Sequence, residues 1–414
     1  MLSKQENSVQ KRMPLEGIRV ADFSWVQAGP WVGRFFANYG AEVIKVESSR
    51  RVDWARAVPG GPASVNGKHR RGALFTNFNT DKLGITLNLG SPKGIEIAKR
   101  LIAKSDVLCE NFRAGFMESV GLGYDELVKI KPDIIMISMP VFGKTGPRRT
   151  FAGYGTGIQA AAGLNVISGF PHREPAINVA LSDMGPNPTH AMVAALSALH
   201  YRNLTGKGQY IELVQFESAL GWMETTILDY TVNGRVRRTQ GNRSPYAAPH
   251  GIYRCLGEDR WCAIAVFTEE QWQAFCEVLG NPAWVKDARF ATLQSRKVNE
   301  DELDGLVEQW TSQKTAEDVM RLMQTRKVPA GVVQTGEDLM KHDEQIRYHK
   351  NFVELDHPDG KALCEGVAIG FSATPGRVRT AGPSMGEHNE YVYGQVLGMS
   401  EDEINECYVD GAFD

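Results

Sequence analysis

The chain has 414 residues, 42% hydrophobic and 23% charged, which is enough to bury one large core or two of unequal size. Its 46 Lys and Arg are scattered among 49 Asp and Glu for a net charge of −3, a balance that speaks against nucleic acid or a polybasic membrane contact as partner. No apolar run approaches the roughly 20 residues of a membrane span, and Met1 to Asn7 lacks a signal-peptide core, so a cytoplasmic protein with no membrane partner is expected. The six cysteines are widely spaced, without Cys-x-x-Cys or Cys/His spacing of zinc type, and read as reduced packing residues.

In chain order, Ile18 to Phe23 reads as a strand, Trp31 to Tyr39 as a helix stopped by Gly40, and Glu42 to Val46 as the next strand. The alternation continues with strand Ile85 to Asn88, helix Lys93 to Lys104, strand Val107 to Cys109, helix Tyr124 to Ile130 and strand Ile134 to Met139. Repeated strand–helix–strand units imply an α/β, Rossmann-like parallel sheet covered on both faces. A Gly- and Pro-rich stretch from Phe142 to Gly169 interrupts it, as a connector or a loop whose backbone approaches a ligand. A helix over His190 to His200 and a strand over Gln209 to Leu213 restore the rhythm. After the basic connector at Thr231 to Arg238, hairpin strands Gly251 to Arg254 and Trp261 to Val266 and helices near Glu270 to Leu279, Glu300 to Trp310 and Thr315 to Thr325 form a smaller α+β unit. The expected domains are therefore 1–225 (large, N-terminal part), 226–332 (small) and 333–414, a tail returning to the large domain.

Asp183 is the first candidate for chemistry. It follows the strand-like apolar run Val179-Ala180-Leu181 and leads through Met184 to Pro188 into a helix, where backbone N–H groups and the helix dipole favour an ionised carboxylate. The plainer alternative is an N-terminal helix cap. Gly155-Thr156-Gly157-Ile158-Gln159-Ala160 has the form of a dinucleotide fingerprint, but Arg148 to Tyr154 before it makes no strand. No Gly-x-Ser-x-Gly elbow is present, no histidine set has metal spacing, and His388, in Gly386-Glu387-His388, is open to a catalytic role, though a lone histidine of this kind is more often structural. Basic residues cluster at Arg50, Arg51 and Arg56 and at Lys68 to Arg71, after the second strand, and Asn111-Phe112-Arg113 follows a later one. A ring beside an Arg at the C-terminal edge of a parallel sheet suits a stacked base and a phosphate.

These residues belong to blocks that resemble one known family. Pro14 to Val20, Gln27-Ala28-Gly29-Pro30, Tyr39 to Glu47, Glu110-Asn111-Phe112-Arg113, Leu204 to Gln209 and Gly386-Glu387-His388 follow the order of the class III CoA-transferases, a family that includes formyl-CoA, carnitine-CoA and benzylsuccinate CoA-transferases and the α-methylacyl-CoA racemases. The resemblance implies a large Rossmann-like domain made from both chain ends, a small domain between them, and two chains interlocked as rings. It implies that Asp183 is the nucleophile, forming a mixed anhydride and then an aspartyl-CoA thioester. The partners are then an acyl-CoA donor, with succinyl-CoA one candidate, and a carboxylic-acid acceptor. No metal or permanently bound cofactor is expected, coenzyme A being the substrate. Val26, Gln27, Leu87, Asn111, Phe112, Arg113, Met139 and Tyr154 match positions that hold CoA or approach the thioester, Arg50 is assigned to a CoA phosphate although it lies two places beyond the family's Arg position, and Lys45 and Arg113 are expected to strengthen CoA binding.

The chain departs from the family pattern at several places. Ser48 stands where many members have Arg, Ser119 replaces a second Arg, and no glycine-rich flap is visible near Asn242-Arg243-Ser244-Pro245. Gly153-Tyr154-Gly155 replaces the Gly-His-Asp of racemases, removing both acid/base side chains, so transfer is preferred to racemisation or epimerisation of a 2-methylacyl-CoA. A non-catalytic CoA-binding subunit is the other alternative, and both a homodimer and a heterodimer with a homologous subunit are compatible with the sequence. Trp25, Trp31, Phe35, Trp54 and Tyr246 suit a bulky or aryl acceptor acid.

Overall fold

The computed structural model describes residues 13–57, 72–176, 180–358 and 360–413. Its contacts divide the chain into two units, one made of Met1–Leu164, Asn178–Asn233 and Arg347–Asp414, the other of Asn165–Ile177 and Gly234–Ile346.

The first unit is built on six parallel strands, β1 (Arg19–Asp22), β2 (Glu42–Glu47), β3 (Lys82–Thr86), β4 (Val107–Glu110), β5 (Ile135–Ser138) and β6 (Gln209–Glu212). They lie in the order β3-β2-β1-β4-β5-β6. The strands read as continuous apolar runs because both faces are buried, and the period of two splits each run between two cores. Val20, Val43, Val107 and Ile135 face one core, with α1 (Ala28–Asn38) and the later helix Pro186–Thr205. Ala21, Ile44, Leu108 and Met136 face the other. On α1 the apolar positions Ala28, Val32 and Phe36 recur at helical spacing and bury that face. Three alanines on the long helix, Ala191, Ala195 and Ala198, give it the small surface it needs to lie close to the sheet.

Further helices of this unit are α2 (Ala73–Phe78), α3 (Pro92–Ala103), α4 (Phe116–Ser119), α5 (Tyr124–Ile130), α6 (Gly155–Ala161), α7 (Leu164–Ile167, which runs into the second unit), α8 (Leu181–Met184), α9 (Pro186–Thr205), α10 (Gln215–Leu220) and α11 (Glu224–Asn233), with a C-terminal helix over Glu401–Val409. The C-terminal residues return to the outer strand β3. Gly84 N–H donates to His388 Nδ1 at 3.2 Å, His388 N–H donates to the Gly84 carbonyl at 2.9 Å, and Tyr393 stacks on Phe413 inside the α3/α5 core. The tail thereby covers an edge that would otherwise offer unpaired backbone. Burial lowers the pKa of His388, which acts here as an anchor.

The second unit carries a three-stranded antiparallel sheet, β7 (His250–Arg254), β8 (Trp261–Ala265) and β9 (Ala330–Val332). The helices Glu269–Val278, Glu300–Thr311 and Ala316–Thr325 bury Phe275, Leu303, Val307, Val319 and Met323 around Phe290. Buried Arg296 ties it together, donating to the Ala248 and Phe290 carbonyls and to Glu269 across the face of Trp272. All six cysteines of the chain are buried, and none forms a disulfide.

Candidate active site

The strand order reverses between β1 and β4, and a crevice opens beyond the C-terminal ends of those strands, where open α/β sheets bind their ligands. The crevice is a cavity of about 540 Å³ lined from the β1 side by Trp25, Val26, Gln27 and Ala28, from the β4 side by Asn111, Phe112 and Arg113, and at one end by Tyr154, Gly155 and Asp183.

The loop Ser24–Gln27 forms one wall and is held in an unusual shape. Val26 has φ 66°, the left-handed region that a β-branched residue avoids. Its N–H donates to both oxygens of Asp53, at 3.2 and 3.1 Å, while Asp53 also accepts from Ala55 N–H at 2.9 Å. Buried Lys45 donates to the Ser24 carbonyl and sits 3.9 Å from Asp53. Asn111 completes the clamp, its Oδ1 accepting from Trp25 N–H at 2.7 Å and its Nδ2 donating to the Trp25 carbonyl at 2.8 Å. Beneath α1, Lys82 pairs with Asp22 at 2.7 Å and donates to the Pro30 carbonyl at 2.8 Å, so both buried charges are hydrogen-bonded.

Three exposed guanidinium side chains, Arg50, Arg51 and Arg113, line the cavity mouth. Arg51 lies 5.4 Å over the Trp25 ring, which meets Phe112 edge-on at 5.7 Å. This aromatic and cationic surface has the chemistry to hold a nucleotide base and its phosphates. At the base of β4, Glu110 accepts from Phe112 N–H at 2.8 Å and from the Ser138 hydroxyl, and burial pushes its carboxyl up to about 7 against those donors.

Asp183 sits inside the single turn α8, ahead of Gly185, the N-cap of α9. Gly185, not Asp183, is the N-cap of α9, and Pro186 and Pro188 in its first turn have no N–H to offer a carboxylate, so the helix-cap reading fails. No strand precedes Asp183 among the described residues, since Ala180 leads straight into α8, and Val179 lies outside them. The terminus of α9 also does not hold the carboxyl ionised, as the sequence suggests it would. Asp183 is 6% exposed, and burial pushes its pKa up to about 6, opposed by the Gly155 N–H, the Ser182 hydroxyl and the Asn187 amide. Its Oδ1 is buried without a hydrogen-bond partner among the described residues. Gly155 is required beside it, because a Cβ at that position would collide with Oδ2. The apparent dinucleotide fingerprint is thus helix α6, whose first residue presents its backbone to a carboxylate.

Of the residues singled out in the sequence, Val26, Gln27, Arg50, Leu87, Asn111, Phe112, Arg113, Tyr154 and Asp183 line this one cavity. Met139 does not line it. Its side chain is buried in the α1/α9 core, and only its carbonyl reaches toward the site, accepting from Gln215 Nε2 at 2.6 Å. Lys45 is likewise beneath the wall, without exposure, and its ammonium is spent on the loop. Arg56 makes a buried two-pronged pair with Glu47 at 2.8 and 2.6 Å and is no phosphate ligand, while Lys68 to Arg71 lie outside the described residues. Among the five aromatic residues proposed for the acceptor, Trp25 lines the cavity; Trp31 packs on Phe78, and Tyr246 belongs to the second unit. Sequence reasoning missed Asp53, Gly155, Asn187 and Gln215. Gly155 alone left a trace there, as the residue standing where racemases carry an acid.

The model of CoA-transferase family III matches residues 15–389. The chain belongs to CoA-transferase family III. This class III CoA-transferase is 35% identical over 396 residues to succinyl-CoA–D-citramalate CoA-transferase of Chloroflexus aurantiacus, covering 94% of this chain and 96% of that relative. It is 32% identical to the beta subunit of succinyl-CoA–L-malate CoA-transferase from the same organism, covering 95% and 96%. The crystal structure of a CAIB/BAIF family protein from Brucella suis superposes with a TM-score of 0.85 at 32% identity, covering 93% of this CoA-transferase and all of that chain. CoA thioesters are the substrates of such enzymes. Among the described residues no group of three His, Cys, Asp or Glu is placed to hold a metal ion, and no helix is long and apolar enough to cross a membrane.

Proposed function

We propose that the enzyme moves CoA from an acyl-CoA donor of the succinyl-CoA type to a carboxylic acid by covalent catalysis at Asp183. The observation that carries this reading is a nearly buried carboxylate at the end of a 540 Å³ cavity whose mouth is lined by arginines. A carboxylate oxygen of Asp183 attacks the thioester carbonyl carbon, the C–S bond breaks, and a mixed anhydride and CoA thiolate result. The thiolate attacks the aspartyl carbonyl, breaking its bond to the anhydride oxygen, which frees the donor acid and leaves an aspartyl-CoA thioester. The acceptor carboxylate attacks that thioester and expels CoA thiolate, which then takes the acceptor acyl group and regenerates Asp183. Electrons balance without a redox partner. Burial favours the first step, since an anion stripped of water is the stronger nucleophile. In this reading Arg50, Arg51 and Arg113 hold CoA phosphates, Phe112 and Trp25 its base, and Gln27 and Tyr154 flank the thioester.

The donor class rests on the two succinyl-CoA-dependent relatives. We further infer a dimer whose chains thread through each other, as a homodimer or with a homologous subunit. Helix α11 supports a partner, for it has no buried residue and exposes Ile227, Leu228, Tyr230 and Val232. The existence of a relative named as a beta subunit supports the heteromeric form.

The test is intact-protein mass spectrometry after incubation with succinyl-CoA and other acyl-CoAs, in wild type and Asp183→Asn, with hydroxylamine quenching. An acyl or CoA adduct on wild type that hydroxylamine removes and Asp183→Asn lacks is expected. Transfer that proceeds without any adduct, or equally in Asp183→Asn, overturns the covalent mechanism.

A further inference from the structure

We infer that Gln215 and Asn187 are positioning residues that orient Asp183 through a chain of amides anchored on a backbone carbonyl; this rests on Asp183 being the reacting carboxylate. The argument starts at Met139. Its carbonyl can only accept, so the side-chain end of Gln215 that meets it at 2.6 Å is the Nε2 donor. That fixes which end of Gln215 faces the other way: Oε1, which accepts from Asn187 Nδ2 at 3.1 Å. Asn187 is in turn prevented from flipping, because its carbonyl oxygen would then meet Gln215 Oε1, acceptor against acceptor. Its NH₂ group therefore stays the donor toward the Asp183 carboxyl, on the helix packed against α8.

Both amides are built into the protein. Asn187 is fully buried between Pro186 and Pro188 at the start of α9, and Gln215 is 4% exposed at the start of α10. Both of those helices pack on α8. Two buried amides cost free energy unless hydrogen-bonded, and packing alone is served as well by leucine. The ionisable side chains on the helices around α8 are engaged elsewhere or in solvent: Arg34 with Glu365, His190 with Ser218, Arg202 with Asp106, and His200 and Glu217 exposed. Neutral dipoles thus set the orientation of the Asp183 carboxyl, whose Oδ1, like Oδ1 of Asn187, is buried without a hydrogen-bond partner among the described residues.

Gln215→Leu removes the anchor while preserving bulk, and Gln215→Glu in its acid form restores a donor toward Met139 and an acceptor toward Asn187. For Gln215→Leu we expect kcat to fall by about tenfold to a hundredfold, the range for losing the hydrogen bond that the freed Asn187 amide makes to the Asp183 carboxylate, with KM for acyl-CoA within about threefold. Gln215→Glu recovers most of that loss. A second readout needs no turnover: in protein labelled with carboxyl-13C aspartate, the signal absent from Asp183→Asn titrates at higher pH in Gln215→Leu than in wild type. A folded Gln215→Leu enzyme with wild-type kcat and an unmoved Asp183 titration overturns the inference, as does a loss confined to KM that Gln215→Glu does not repair. Should wild type itself form no adduct and move no CoA, the covalent reading fails, and the titration still decides the amide chain.

Discussion

At Asp183 two demands oppose each other. In the covalent mechanism proposed above this carboxyl must be ionised, yet burial lifts its pKa from 3.8 to about 6, so ionising it costs more in the folded protein than in the unfolded chain. For a carboxyl whose folded pKa is raised, the stabilising contribution is complete below the unfolded value and disappears as pH rises through the folded one. At pH 8 the anion therefore costs up to about 3 kcal/mol. Asp183→Asn removes that cost together with the proposed nucleophile. We expect a variant without transfer activity whose urea midpoint at pH 8 exceeds that of wild type by the equivalent of about 1–3 kcal/mol, a gap that closes by pH 4. A cap residue behaves oppositely, its loss destabilising by about 1 kcal/mol. The same pKa places the acid limb of kcat/KM near pH 6, with activity falling about tenfold per unit below it. An activity profile flat from pH 5 to 8 removes Asp183 from the chemistry.

Among the elements, the turn between β1 and α1 carries the strain. Holding Val26 at φ 66° costs about 1–3 kcal/mol, and the Asp53 carboxylate, taking the Val26 N–H and facing Lys45, is what offsets it. Asp53→Asn is expected to let the loop relax, raising KM for acyl-CoA about tenfold while kcat changes less, because Val26 and Gln27 wall the cavity. Adding Val26→Gly, which adopts a positive φ without cost, should restore much of the affinity. Unchanged KM in Asp53→Asn, by steady-state kinetics, separates the loop shape from binding. This turn also shows where the sequence stops being readable. Strands such as Glu42–Glu47 and the helix Tyr124–Ile130 announce themselves through periodicity. β3 was expected from Ile85 and begins at Lys82, because a lysine looks like a surface residue until its partner Asp22 is seen across the sheet. The Gly-rich stretch gave no sign of α6, and nothing local couples Asn187 to Gln215, 28 residues apart. Of the cavity, the family blocks supplied the ligand-facing wall. The hidden layer behind it, Asp53 and Gln215, depends on long-range pairings that no sequence pattern encodes, and Lys45, visible in a family block, belongs to that layer rather than to the ligand wall.

For the whole molecule the argument turns on chain path. The first unit takes residues from before Leu164, from Asn178–Asn233 and from after Arg347, so its core closes only when the C-terminal tail returns to β3. Within it α11 buries nothing of its own, and Val193, Leu196, Tyr201 and Leu204 of α9 are also exposed. A helix of ten residues without a packed face is marginal in water, and the second chain proposed above is what would cover α11. If the two chains merely lay side by side, dilution or mixing would exchange them. If they thread through one another, exchange requires the returning tail of one chain to unfold. Two copies carrying different tags, folded separately and mixed at native conditions, should therefore form no mixed dimers over days, whereas copies refolded together from urea should yield about half mixed dimers, the statistical fraction for random pairing. Native mass spectrometry reads both experiments. Mixed dimers appearing within minutes without denaturant would show a simple interface, and a monomer throughout would leave α11 unexplained by any second chain.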